Sequence, residues 1–278
     1  LPLGIEPAAP PSRADLGPAA VTWAAVSIAD KLDTIVGLFA AGERPTGTRD
    51  PFGLRRQAQG MLRTIVDLPE LTGLEVPVPV GRMLEQARHG VGEVAGAAEA
   101  GEAWREAVSA FLLDRLRYLF EQRGFAYDEL NAVLGRSAGL PDPLDARRRL
   151  EALRAVRGSA DFEALAVAFR RVKNLSRELQ GPAVDEVDRL TEPAEQALLA
   201  EFARRSASIR AAAAERRYEQ AFHLASGFRL SVDRFFTDRF ERGGPAWLPL
   251  LTLVGGALPW TPWGLAALRR PPAGDGGR

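Results

Sequence analysis

The sequence predicts an all-α protein, and three observations lead to this fold class. Apolar residues recur at three- and four-residue spacing through most of the chain, which is typical of amphipathic helices. No alternating run of useful length indicates a β-strand, and glycines and prolines separate the periodic segments at short intervals. The 278 residues are 46% hydrophobic, enough to fill the core of one large or two ordinary domains. We therefore expect short antiparallel helices.

The first part of the chain predicts a linker followed by a small helical domain. Residues 1–19 are rich in Pro, Ala and Gly without periodicity, which indicates a loop or linker. A helix is expected over 20–41, with a stop at Gly42 and with a face that comprises Trp23, Val26, Ser27, Asp30, Ile35, Leu38 and Phe39. The chain opens at Leu1 without a leader, so we expect a piece of a longer protein.

A second helix is predicted from its start signals. Asp50 is placed to cap it, and Pro51 suits its first position. Its apolar stripe comprises Leu54, Ala58, Met61, Leu62 and Ile65. Prolines at 69, 77 and 79 interrupt any regular element, so the predicted domain covers 20–70 and a linker covers 71–81.

The remainder predicts a larger helical domain over 82–242 and an unusual tail. The expected helices lie at 82–99, 102–123, 128–134, 144–156, 193–205, 215–225 and from 232 toward 240. One further helix is expected directly after a cap at Ser159 or Asp161. In the tail, 243–278, residues 245–268 carry no charge, a length that could span a bilayer. Its prolines break such a helix, which favours a shifted reading frame or truncated gene over a membrane anchor.

Composition excludes several classes of function. The absence of cysteine excludes disulfides, thiolate zinc sites and cysteine nucleophiles, and it fits a reducing cytosol. With only two histidines, a poly-histidine metal centre is not expected, and no phosphate loop or nucleophile elbow is present. Asp30 and Asp33 lie three residues apart and could hold a divalent metal. The alternative is that Asp30 is buried and satisfied by a neighbouring helix.

Charge is unevenly distributed although the chain is neutral, with 36 basic and 36 acidic residues. The segment from Asp145 to Glu178 contains nine basic and five acidic residues. On adjacent helices, this excess would make one basic face able to contact phosphates, with Asn174 available for base edges. The alternative is an ordinary solvated surface.

Several segments resemble a known family. Residues 28–39 (IADKLDTIVGLF) and 44–56 (RPTGTRDPFGLRR) are similar to the bacterial glycyl-tRNA synthetase beta subunit. The likeness continues in the segments FLLDRLR at 111–117, FRRVKN at 169–174 and VDRFF at 232–236. It covers about residues 20–236, the C-terminal third of that subunit. The chain departs from the family after Phe236, where a final arginine-bearing helix is expected.

The resemblance implies a division of labour. The first part would be the helical end of a degenerate HD-like domain, in which Asp30 matches a metal-binding position without its histidines. No metal is therefore expected, and a packing role for Asp30 is favoured. The second part would be a helical-bundle anticodon-binding (DALR-like) domain. The residues it implies for tRNA contact are Arg170, Arg171, Lys173, Asn174, Arg55 and Arg56, although Arg55 and Arg56 could equally be structural.

The resemblance also implies the reaction and its partners. The family attaches glycine to its tRNA with ATP in protein synthesis, in the cytoplasm, as a heterotetramer of two alpha and two beta subunits. The activating site belongs to the alpha subunit, so ATP and Mg are expected there, with no cofactor or catalytic residue in this chain. The partners are tRNA-Gly and the alpha subunit, without DNA or membrane. The alternatives are an HD-type metal-dependent phosphohydrolase remnant and a helical scaffold anchored by its apolar tail.

Overall fold

The fold is all-α, as predicted. The computed structural model describes residues 11–95, 102–135, 139–176 and 193–240, and within these ranges it contains no β-strand. An isolated antiparallel bridge joins Thr46 and Arg49. The helices are α1 Arg13–Leu16, α2 Ala20–Ala40, α3 Leu54–Val66, α4 Leu68–Thr72, α5 Val80–Ala95, α6 Glu102–Gln122, α7 Tyr127–Leu134, α8 Pro143–Arg157, α9 Ala160–Ser176, α10 Pro193–Ala214, α11 Tyr218–Ser226 and α12 Arg229–Phe240, with a 3₁₀ turn at Gly17–Ala19.

Two compact units divide the chain. Unit 1 comprises Leu1–Phe125 with Ser137–Arg147, and unit 2 comprises Ala126–Arg136 with Arg148–Arg278. Residues 74–79 hold no helix, in keeping with a connection inside the predicted linker. However, α5 and α6 beyond it pack on α2 and α3, so these helices share unit 1. The proposed domain identities stay predictions.

Unit 1 is built around α2, which packs against α3, α4, α5 and α6. The predicted stripe of α3 is confirmed, because all five of its residues are buried. On α2 the predicted stripe is wrong in its first half: Val26 is 61% exposed, whereas Ile28 and Leu32 are buried. Ile28, Leu32, Ile35 and Phe39 recur at four, three and four residues, and this stripe fits the core better than one through Val26.

Helix α3 begins three residues later than predicted. Asp50 does cap it: its Oδ1 accepts from the Leu54 N–H at 2.7 Å and its Oδ2 from the Arg55 N–H at 3.0 Å. Gly53, at φ 65°, turns the chain in a left-handed conformation just before the helix. Pro51 therefore lies in the turn before the helix and not at its first position.

Two short helices were not predicted. Ser12 and Asp15 form a reciprocal capping box that starts α1 inside the predicted linker 1–19. Helix α4 carries Pro69 in its first turn, a position where proline costs no helical hydrogen bond. A proline expected to interrupt regular structure thus begins a helix.

Unit 2 packs α9 and α10 against α11 and α12. Phe162 of α9 meets Phe222 of α11 edge to face, with ring centroids 5.7 Å apart. The predicted cap at Ser159 is confirmed, because its Oγ accepts from the Phe162 N–H at 3.2 Å. Helix α10 runs nine residues beyond its predicted end, to Ala214.

Candidate nucleic-acid interface

The arginines at the end of α8 are bound to carboxylates within unit 2. Arg157 forms an ion pair with Asp128, and its Nη1 lies 3.4 Å from Oε1 of Glu129. Arg154 Nη2 donates to Glu129 Oε2 at 3.2 Å. The Glu129 side chain is 4% exposed, and it also accepts from the Ala126 N–H at 2.8 Å at the start of α7. These arginines fasten α7 to α8.

Arg147, in the first half of α8, also contacts protein groups, in this case within unit 1. Its Nη1 donates to the Val66 carbonyl at 3.0 Å and its Nη2 to Glu70 Oε1 at 2.6 Å. Its Nη1 lies 3.6 Å from Asp67 Oδ1, and Arg123 Nη2 donates to Asp67 Oδ2 at 2.8 Å. The hydrogen bond from Arg147 lowers the pKa of Glu70 below its usual 4.5, against a smaller opposing effect of burial.

Arg149 completes this pattern in unit 2. Its Nε donates to the Tyr218 hydroxyl at 3.2 Å, and its guanidinium lies 5.2 Å from the centroid of that ring. Four arginines of α8, namely Arg147, Arg149, Arg154 and Arg157, therefore hold helices together. These four arginines do not contribute to the predicted basic face, because their guanidinium groups contact protein partners.

Helix α9 carries the other part of the predicted face. Arg170 is exposed, and Glu163 and Val167 precede it on the same exposed stripe. The backbone of Arg171, Lys173 and Asn174 lies within α9, while their side chains lie outside what the structure describes.

Arg55 and Arg56 begin α3 and differ in their surroundings. Arg55 is half-buried, and its Nη2 donates to the Gly47 carbonyl at 2.7 Å. This bond ties the turn at residues 46–49 to the helix, so the structural alternative fits Arg55. Arg56 is exposed, and its guanidinium lies over Gly53, with Nη2 3.1 Å from where a Cβ would stand.

The same segment exposes three side chains that the sequence-based prediction omitted. We call residues from Glu43 to Arg56 the 43–56 segment. Arg44 and Arg49 are exposed, and Phe52 is 50% exposed although it is a large aromatic residue. The signal was present in the sequence: Phe52 lies outside the apolar stripe of α3, between turn residues and arginines.

The predicted packing role of Asp30 is wrong. Asp30 and Asp33 are both exposed on α2, because the core stripe passes through the other side of the helix at Ile28, Leu32 and Ile35. Among the described residues, no cluster of His, Cys, Asp or Glu could hold a metal ion. His223 is exposed on α11, with its Nε2 3.9 Å from Glu219.

The tail at 243–278 lies outside the described residues, and so does the question of its anchoring. Among the helices of the described ranges, none combines the length and the apolar character that a membrane crossing requires.

Comparisons with known proteins identify relatives. A family model described as "Glycyl-tRNA synthetase beta subunit" matches residues 5–135. The chain is 36% identical over 231 residues to the "Glycine--tRNA ligase beta subunit" of Shewanella oneidensis, an alignment covering 82% of this chain and 32% of that protein. The namesake from Acidobacterium capsulatum is 38% identical over 237 residues, with the same coverage.

A third relative agrees. The "Glycine--tRNA ligase beta subunit" of Anaeromyxobacter dehalogenans is 40% identical over 228 residues, covering 81% of this chain and 30% of that protein. The chain thus spans about a third of the length of the curated relatives it matches. The predicted resemblance is confirmed.

Proposed function

We propose that this chain, which belongs to the glycyl-tRNA synthetase beta subunit family by its matched residues, forms the tRNA-binding part of a bacterial glycine–tRNA ligase beta subunit. The whole enzyme would attach glycine to tRNA-Gly with ATP in the cytoplasm. The alpha subunit would supply the aminoacylation site with its ATP and Mg, in a complex of two alpha and two beta subunits. The observation that carries this proposal is the sequence likeness, which extends over four fifths of the chain.

The sequence of α9 supports a binding role for unit 2. Asn174 and the basic positions 170, 171 and 173 lie in the last two turns of α9, and Arg170 is exposed. Phosphate contacts need guanidinium and ammonium groups that can reach solvent, and the sequence places three basic residues close together on α9. We therefore assign tRNA contact, at the anticodon, to Arg170, Arg171, Lys173 and Asn174.

The test is tRNA binding by the whole 278-residue chain. We expect the triple variant Arg170→Ala, Arg171→Ala, Lys173→Ala to lower affinity for tRNA-Gly about tenfold or more at low salt. The slope of log affinity against log salt should become shallower by roughly 2, because fewer counterions are released. Arg210→Ala, an exposed arginine of α10, is the matched control and should bind as the wild-type chain does.

A second comparison addresses the anticodon. The wild-type chain should prefer tRNA-Gly over the same tRNA with an altered anticodon, and Asn174→Ala should reduce that preference. Equal affinity of the triple variant and the wild-type chain at low salt would remove these residues from the interface.

A further inference from the structure

The 43–56 segment of unit 1 combines exposed cationic and aromatic side chains on a fixed backbone. Arg44, Arg49 and Arg56 are exposed, and Phe52 between them is 50% exposed. Two carboxylates occur in the segment. Of these, Asp50 has both oxygens engaged by backbone N–H groups of α3. The segment carries net positive charge, because its four arginines outnumber Glu43 and Asp50.

The backbone of the segment is held by its own hydrogen bonds. The Thr46 N–H donates to the Arg49 carbonyl at 3.0 Å and the Arg49 N–H to the Thr46 carbonyl at 2.8 Å. Arg55 bonds the Gly47 carbonyl, and Asp50 caps α3, so both ends of the turn are attached to the helix. Because of these bonds, the exposed side chains project from a defined frame.

The chemistry of this frame fits nucleic acid. Guanidinium groups bind phosphate oxygens with two parallel hydrogen bonds, and an exposed aromatic ring offers a face on which an unpaired base stacks. Phe52 is 50% exposed and does not belong to the buried stripe of α3, so part of its ring is accessible to a ligand.

We propose that the 43–56 segment is a second RNA contact of this chain, in which Arg44, Arg49 and Arg56 bind phosphates and Phe52 stacks an unpaired base. This inference rests on the proposed function and adds a contact in unit 1 to the one assigned to α9 in unit 2. The segment recognises single-stranded RNA, because a base inside a duplex cannot reach the ring.

The experiment compares variants of the whole chain for binding to tRNA-Gly. Arg44→Gln with Arg49→Gln is expected to weaken binding about tenfold at low salt and to lower the salt slope by about 1 to 2. Phe52→Leu keeps the apolar bulk and removes the ring, and it should weaken binding by about fivefold or more. Phe52→Tyr, which keeps the ring face, should bind as the wild-type chain does.

Matched controls come from unit 1. Arg82→Gln removes an exposed arginine of α5, and Tyr118→Leu removes an aromatic ring of α6 that is 44% exposed. Both should leave affinity unchanged. Phe52→Leu should also weaken binding of an unpaired RNA oligonucleotide while leaving binding of an RNA duplex of equal length unchanged.

The outcomes separate this inference from the proposed function. If the α9 triple variant loses affinity while the 43–56 variants bind normally, the inference is overturned and the proposed function stands. If the controls lose as much affinity as the 43–56 variants, the inference is overturned as well. Loss of any exposed arginine or aromatic ring of unit 1 would then weaken binding, whatever its position. If the 43–56 variants bind tRNA-Gly normally but no longer bind the alpha subunit, the segment is a protein-binding surface and the inference fails.

Discussion

Helix α8 and the 43–56 segment are both rich in arginine, and they use it in opposite ways. In α8, Arg147, Arg154 and Arg157 meet carboxylates from other helices, which stabilises the packing of those helices. In the 43–56 segment, Asp50 accepts from backbone N–H groups of α3 and Arg49 is exposed, while the exposed Arg44 has its guanidinium 6.0 Å from the centroid of the Phe39 ring. A count of arginines is therefore a poor guide to a binding surface.

The difference arises from what lies opposite each arginine. Asp128 and Glu129, 14% and 4% exposed, present acceptors to α8 from a helix about 25 residues earlier in the chain. No such acid reaches the 43–56 segment from the described residues, apart from Asp50 and Glu43 of the segment itself. We therefore expect substitutions of the α8 arginines to affect mainly stability and substitutions of the 43–56 arginines to affect mainly binding.

The largest effect is expected when α8 loses an internal partner. Arg157→Gln should lower the free energy of unfolding by about 2 kcal/mol, because Asp128 and the nearly buried Glu129 would lose a cationic partner. Affinity for tRNA-Gly should change less than twofold. Denaturant unfolding measures the first quantity and equilibrium binding the second, with Arg210→Gln as control. A normal stability with reduced affinity would reverse the comparison.

A smaller effect is expected at Glu70, whose side chain is 53% exposed and paired with Arg147. Glu70→Gln should lower the free energy of unfolding at neutral pH by less than about 1 kcal/mol, since solvent screens the pair. The folded-state pKa of Glu70 is lowered, so its contribution is complete above about 4.5 and is lost as the pH falls through the folded-state value.

The pH dependence tests this assignment. The difference in unfolding free energy between wild type and Glu70→Gln should be constant from neutral pH down to about 5 and should shrink in acid. A difference that grows in acid would contradict the assigned pair. Glu163→Gln, which changes an exposed carboxylate of α9, provides the matched control.

The smallest effect is expected at Asp30. Asp30→Ala should change the free energy of unfolding by less than about 0.5 kcal/mol, because the side chain is exposed on α2. Addition of Mg²⁺ or Mn²⁺ should change neither the melting temperature of the wild type nor that of the variant. Asp33→Ala is the control from the same helix, and a loss of more than about 2 kcal/mol for Asp30→Ala alone would restore a packing role.

Periodicity predicted the fold wherever a single stripe was unambiguous. The stripe of α3 from Leu54 to Ile65 is buried as expected, and α6 lies within one residue of its predicted bounds. On α2, alanines lie on several sides of the helix, so an apolar stripe can be drawn through Val26 or through Ile28. The sequence alone could not choose between these two stripes. Tertiary packing made that choice.

The candidate site was less accessible to sequence reasoning. Partners such as Glu70 for Arg147 lie 77 residues apart, and local charge counts cannot include them. The exposure of Phe52 and the inward direction of Arg55 also depend on how the turn folds against α3. Residue types indicated where basic side chains were concentrated, while geometry decided which of them were already engaged.

The closed turn at Thr46–Arg49 has a thermodynamic consequence. Its backbone bonds exist before any ligand arrives, so little conformational entropy remains to be lost when a ligand contacts Arg49 or Phe52. Calorimetry of RNA binding should show a smaller entropic penalty for the wild-type chain than for Arg55→Ala, in which the turn is released from α3. Rigidity in free solution would then appear as affinity in the complex.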